Sequence, residues 1–209
     1  MRILGIDPGI TRCGIGIIDM DTDRKARLVH VEVARSQASL ATHFRLRDIG
    51  QAIERAMEAY EPDVAAIERV FAQDNLQSVT TTMQVMGVAM YCAGTHGLPM
   101  AVHTPSQVKS AVTGSGVAGK AQVQHMVSRI LGLDGIVRPA DAADSLAIAI
   151  CHGWRGDNLQ GEGADEQFSV SLSGGVKAKT ELTPAQRQWA EAQAKVRRTG
   201  AVDPRRRRR

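Results

Sequence analysis

Asp7 closes the apolar run Ile3–Ile6 and is followed at once by Pro8 and Gly9, after which a second apolar run spans residues 13–20. Proline fixes one backbone angle and glycine tolerates either sign of it, so the pair marks a tight turn. The two runs therefore read as strands at 3–8 and 13–20, paired as a hairpin. That places a carboxylate at the end of a buried strand. A charge there must be solvated, paired or bound to metal, because burying it bare is too costly. Asp before Pro-Gly also suits an ordinary turn, so Asp7 alone decides little.

A third strand is expected over 27–35, completing an antiparallel meander. A helix follows over 39–60, with Leu40, Phe44, Leu46, Ile49, Ile53, Met57 and Tyr60 as its apolar positions and Ser39 as its cap. Pro62 and Asp63 end it. "VAAIERVF" is a fourth, buried strand, and Leu98–Val102 a fifth. Further helices are expected over 75–96, 105–113, 120–131 and 141–154, with the flexible "GSGVAG" before Lys120. The fold class is α/β, a mixed five-stranded sheet flanked by helices. Aromatic residues are 3% of the chain, so the core must be built from Val, Ile, Leu, Ala and Met.

From residue 156 Gly, Ser, Gln and charged residues dominate. We expect a folded body at 1–155 and a largely disordered basic tail at 156–209, with one possible helix at 184–198. Up to His152 there are 14 basic and 15 acidic residues, and beyond it 12 basic and 7 acidic. The net charge of +4 thus belongs to the tail, including Arg205 to Arg209, and says little about the body. Cys13, Cys92 and Cys151 are odd in number and form no CxxC pair, which suits reduced thiols. No signal peptide and no membrane-length apolar run is seen. A soluble, cytoplasmic protein without membrane attachment is expected.

Glu68 gives a second core strand its own carboxylate, although an edge position or a pair with Arg69 would also account for it. Asp141 and Asp144 stand three apart at the start of an apolar helix, hence on one face. Acids also favour helix N-termini through the helix dipole alone. Together the four suggest one acidic site. Carboxylate oxygens are hard ligands, so Mg²⁺ fits, with Mn²⁺ able to substitute. Such a set can hold two ions about 3.5–4 Å apart, suited to phosphodiester hydrolysis. Cys151 and His152 adjoin on a helix, point apart, and read as structural.

"LGIDPG", "AIERVF", "GKAQVQHMV" and "ADAADSLAIAI", in that order, resemble the RuvC family of Holliday-junction resolvases over roughly residues 1–153. The resemblance implies an RNase H-like fold, a homodimer, and metal-dependent cutting of four-way DNA junctions in recombination and repair. It implies that Asp7, Glu68, Asp141 and Asp144 are the catalytic, metal-holding acids. It further implies that Lys109 and Lys120 serve DNA binding, Lys120 also catalysis, and that Phe71 contacts bases at the crossover. The branch-migration proteins RuvA and RuvB are the implied partners. Read from the residues alone, Lys120 opens a helix, where free N–H groups suit phosphate, and an exposed Phe71 could stack on a base. The helix at 75–96, with Leu76, Val79, Met83, Met86, Val88 and Met90, is the candidate dimer face.

Three other readings stay open on the sequence. A YqgF-like nuclease shares the fold. A junction-binding module would lack cleavage. "GIDPG" also resembles a phosphate loop of actin-like ATPases, but no second loop is found.

Overall fold

The computed structural model describes residues 1–70 and 76–155. Strands β1 (Arg2–Asp7), β2 (Arg12–Met20) and β3 (Ala26–Arg35) form the expected antiparallel meander. Then come α1 (Thr42–Tyr60), β4 (Val64–Glu68), α2 (Leu76–Thr95), β5 (Met100–His103), α3 (Pro105–Thr113), α4 (Lys120–Ile130) and α5 (Ala140–Arg155). The sheet order is β3-β2-β1-β4-β5, with β1, β4 and β5 parallel. The expected mixed five-stranded sheet is therefore present. The expected tail at 156–209 lies outside the described residues.

Side chains alternate across the sheet, and both faces are covered, so the central strands are apolar on both sides. Leu4, Ile6, Ile15, Ile17 and Ile67 pack with Ile49, Ile53 and Met57 of α1 and Val85 and Ala89 of α2. Ile3, Ile18 and Ala66 pack on the opposite face with Val108, Val123, Val127, Leu146 and Ile150. Each fully buried Ile or Leu stabilises the fold by about 1.5–3 kcal/mol. The core is aliphatic, as the composition requires.

Local boundaries differ where tertiary pairing overrides sequence pattern. Helix α1 starts at Thr42, and Ala41 takes the cap position without a side-chain hydrogen bond. Ser39 is not its cap, because the Leu40 N–H donates to Gln37 in a preceding turn. Phe44 falls in the first turn and is exposed, with the Arg47 guanidinium 5.2 Å from its ring centroid. The helix ends where Glu61 turns left-handed and donates to the Met57 carbonyl, immediately before Pro62. Strand β4 stops at Glu68 and not at residue 71. Its ladder with β1 runs out at Ile67 and with β5 at Glu68, after which the Arg69 N–H donates to the His103 carbonyl as the strand closes. Helix α3 opens with a capping box in which Thr104 and Gln107 exchange side-chain and backbone hydrogen bonds.

One contact sets the position of α5. Gly5 and Gly16 are cross-strand partners, and Gly14 pairs with Asp7. A Cβ added at Gly5 would overlap the Ser145 carbonyl oxygen, and one at Gly14 the Asp141 carbonyl oxygen. A Cβ at Gly16 would stand 2.8 Å from Ser145 Oγ. The residues of α5 meeting these glycines, Asp141, Ser145, Leu146 and Ala149, lie on one face of the helix. Gly14→Ala should therefore destabilise the protein by about 1–3 kcal/mol, each kcal/mol lowering Tm by about 2–4 °C in a chain of this size. Gly135→Ala, where nothing lies within 4 Å, should be neutral or slightly stabilising. Urea denaturation of the two variants checks this, and equal losses would remove the close-approach argument.

Candidate active site

The acids converge because three elements end or begin at one edge of the sheet. Asp7 is the last residue of β1 and Glu68 the last of β4. The strands are parallel neighbours with Ile6 opposite Ile67, so their final residues lie side by side. Alternation puts Asp7 on the face of Ile3 and Gly5, and Glu68 on the face of Ala66, which is the face α5 covers. Helix α5 brings Asp141 against Gly14, the cross-strand partner of Asp7, and carries Asp144 beside it in the helix's opening turns. The carboxyl ends of parallel strands are where α/β sheets form their crevices.

The electrostatics agree with the grouping. Burial first, and then the negative charges of Asp144, Glu68 and Asp141, push Asp7 up to about 8, while Lys120 pulls it back. Burial and then Asp144 push Glu68 up to about 7, opposed by Lys109 and Lys120. Asp144 is raised chiefly by burial, with Lys120 the main opposing charge. Three acids are thus raised by burial and by neighbouring carboxylates, with Lys109 and Lys120 compensating the negative charge only in part. An added cation would relieve it.

The donor set fits a hard divalent cation: four carboxylates and no thiolate or imidazole among the residues singled out. It is not a closed cage. Among the described residues no three acid, histidine or cysteine side chains already stand as a metal-binding group. Asp141 instead has Oδ2 at 2.9 Å from Arg12 Nε. Cation entry would have to draw the side chains together.

Lys109 lies within α3 and Lys120 is the first residue of α4, following Gly119 at the cap position. Both act on the same acids. Phe71 lies outside the described residues. Two polar neighbours escaped the sequence reading. Arg12 opens β2 just past the turn after Asp7. His103 ends β5 and is the cross-strand partner of Glu68. Burial, then His152, pushes His103 down to about 4, so it is neutral, and its Nε2 lies 3.2 Å from His152 Nδ1. A polar residue closing an apolar strand, as Asp7 and Glu68 do, was the available signal for His103. Cys151 and His152 are buried, consistent with structural roles. Cys13, Cys92 and Cys151 are free thiols. No described helix is long and apolar enough to cross a membrane.

Comparison with known proteins finds relatives of the whole chain. The family described as "Crossover junction endodeoxyribonuclease RuvC" matches residues 3–152. A relative of that name from Leifsonia xyli subsp. xyli is 49% identical, covering 99% of this chain and 98% of its own. One from Clavibacter michiganensis subsp. michiganensis is 50% identical, covering 92% of this chain and 96% of its own. The structure of T. thermophilus RuvC in complex with Holliday junction substrate is similar at a TM-score of 0.71 and 33% identity, covering 75% of this chain and 94% of that one.

The raised acids give a signed pH dependence. Folded metal-free protein keeps the Asp7 proton between the ordinary 3.8 and about 8, where the unfolded chain has released it. Protons bound by the native state exceed those of the unfolded state there, so this residue's contribution to stability falls as pH rises through that window. Asp7→Asn removes the effect. In EDTA its melting temperature should match wild type near pH 4 and exceed it increasingly as pH rises towards about 8. A difference independent of pH would show that Asp7 is not buried among like charges.

Proposed function

The chain belongs to the RuvC family of crossover junction endodeoxyribonucleases, and from that membership we propose that Asp7, Glu68, Asp141 and Asp144 are its catalytic acids and hold its metal. The protein is a nuclease that resolves four-way DNA junctions, with an RNase H-like body. Membership also sets aside the non-cleaving module. The observation supporting the site is the grouping of four acids from two parallel strand ends and one helix start, with Asp7 raised by all three others, Glu68 by Asp144 and Asp144 by Asp141.

The metal is Mg²⁺, replaceable by Mn²⁺, with two ions per site. When bound it supplies activation of water and neutralisation of charge at the phosphodiester. The chain's own residues do the rest. The acids, held on rigid strand and helix ends, keep the geometry in which the scissile phosphate is oriented. Lys109 and Lys120 face the same acids and hold phosphate oxygens against them. Lys120 is aided by the free N–H groups at the start of α4. Phe71 stacks on a base at the crossover, a role resting on the family resemblance.

A junction has near-twofold symmetry, so the working unit is a homodimer with two copies of the site. The outward side of α2 supports this, because Met83 and Tyr91 are exposed there while Val79 and Met86 are buried in the body. RuvA and RuvB are its proposed partners. The nuclease domain spans 1–155.

A synthetic mobile four-way junction should receive paired symmetric nicks with Mg²⁺ and none with EDTA, and a linear duplex should stay intact. Asp7→Asn should lose well over the roughly 100-fold that outer-shell changes at metal sites cause, yet bind the junction. Nicking by Asp7→Asn at the wild-type rate would remove Asp7 from the catalytic set.

A further inference from the structure

Arg12 is the charged group nearest to hand for Asp141. Its Nε lies 2.9 Å from Asp141 Oδ2, the Arg12 side chain being 57% exposed and the Asp141 side chain 21%. Arg12 stands two residues before Gly14 on β2, hence on the sheet face where Asp141 and Asp7 lie. The position is built, because the turn that precedes it leaves no room at Gly9, where a Cβ would overlap the Arg12 carbonyl oxygen. A guanidinium donates in a planar fork matched equally to carboxylate and to phosphate. It is also largely solvated here, so its hold on Asp141 is weak and reversible.

Resting on the reading of Asp141 as a metal-holding acid, we infer that Arg12 is a positioning residue that exchanges partners. In this structure it pairs with Asp141 Oδ2. Were that oxygen to ligate a cation, Arg12 would be free to take a DNA phosphate oxygen. Three observations converge on this. Arg12 competes for the same oxygen a cation would need. Asp141 is itself partly buried, with its side chain 21% exposed, beside the acids that raise Asp7. The Arg12 side chain is 57% exposed even while paired, and Lys109 and Lys120 act on neighbouring Asp144. The exchange couples the two ligands. By linkage, whatever cation binding adds to DNA affinity, DNA must add to cation affinity.

The test uses full-length protein, Mn²⁺ titration followed by the electron paramagnetic resonance of the free ion, and no DNA. Arg12→Gln should bind Mn²⁺ about two- to fivefold more tightly than wild type, the worth of an exposed ion pair. Its junction affinity in Ca²⁺ should fall, and the slope of log affinity against log salt should flatten by about 0.9 for each phosphate that is no longer neutralised. Arg12→Lys, which keeps the charge but not the fork, should retain most of that slope. Unchanged or weaker Mn²⁺ binding in Arg12→Gln, with Asp141→Asn clearly weakened, overturns the exchange and leaves Asp141 as a ligand. Tighter Mn²⁺ binding with an unchanged salt slope overturns the transfer to phosphate. Wild-type Mn²⁺ binding by Asp141→Asn overturns the ligand reading and the exchange with it.

Discussion

Helix α5 lies so close to the β1–β2 hairpin that a methyl group at Gly5 or Gly14 would overlap a helix carbonyl oxygen. The rest of the site depends on that approach. Asp7 and Glu68 are placed by the sheet alone, through the parallel register of β1 and β4. Asp141 and Asp144 belong to an element far along the chain, and only the packing of α5 brings them to the same edge. Side chains of ordinary size at the glycine positions would hold helix and sheet apart, near the ~10 Å spacing of faces separated by full side chains. The glycines and the small residues of α5 remove that layer, so the acids meet.

Meeting has an electrostatic cost. Like charges in a partly desolvated crevice raise one another, and here burial contributes more than any single neighbour at Asp7, Glu68 and Asp144. The fold can hold such a group because the apolar interior on both faces of the sheet does not depend on it. Ile3, Leu4 and Ile6 are fully buried along β1, and only the residue at its end departs from the pattern. Stability comes from strand middles and chemistry from strand ends.

This division explains what was legible in the sequence. Strand middles announce themselves through apolar runs, and a carboxylate closing such a run stands out, so all five strands and the acids Asp7 and Glu68 could be read. The i, i+3 spacing of Asp141 and Asp144 put them on one face before any contact was known. Where β4 stops could not be read, because it depends on how far its neighbours extend. Phe44 carried an apolar helix pattern, but its helix begins later and leaves it outside the core. Arg12 carried no local signal at all. Its meaning lies in a contact with Asp141 across more than half the chain, and periodicity reports only neighbours.

The charge balance of the body follows from the same geometry. Residues up to His152 carry 14 basic and 15 acidic side chains, a near-neutral sum for a protein whose family acts on DNA. Net charge governs long-range attraction, while the local field depends on how charges are sorted. Here four of the acids are gathered at one edge, facing Lys109 and Lys120 and touching Arg12. Under the proposed reading, cations held by those acids would cancel negative charge at the place where phosphate must approach. The same acids and lysines would then serve attraction and chemistry at one edge of the sheet, and not in separate regions of the surface.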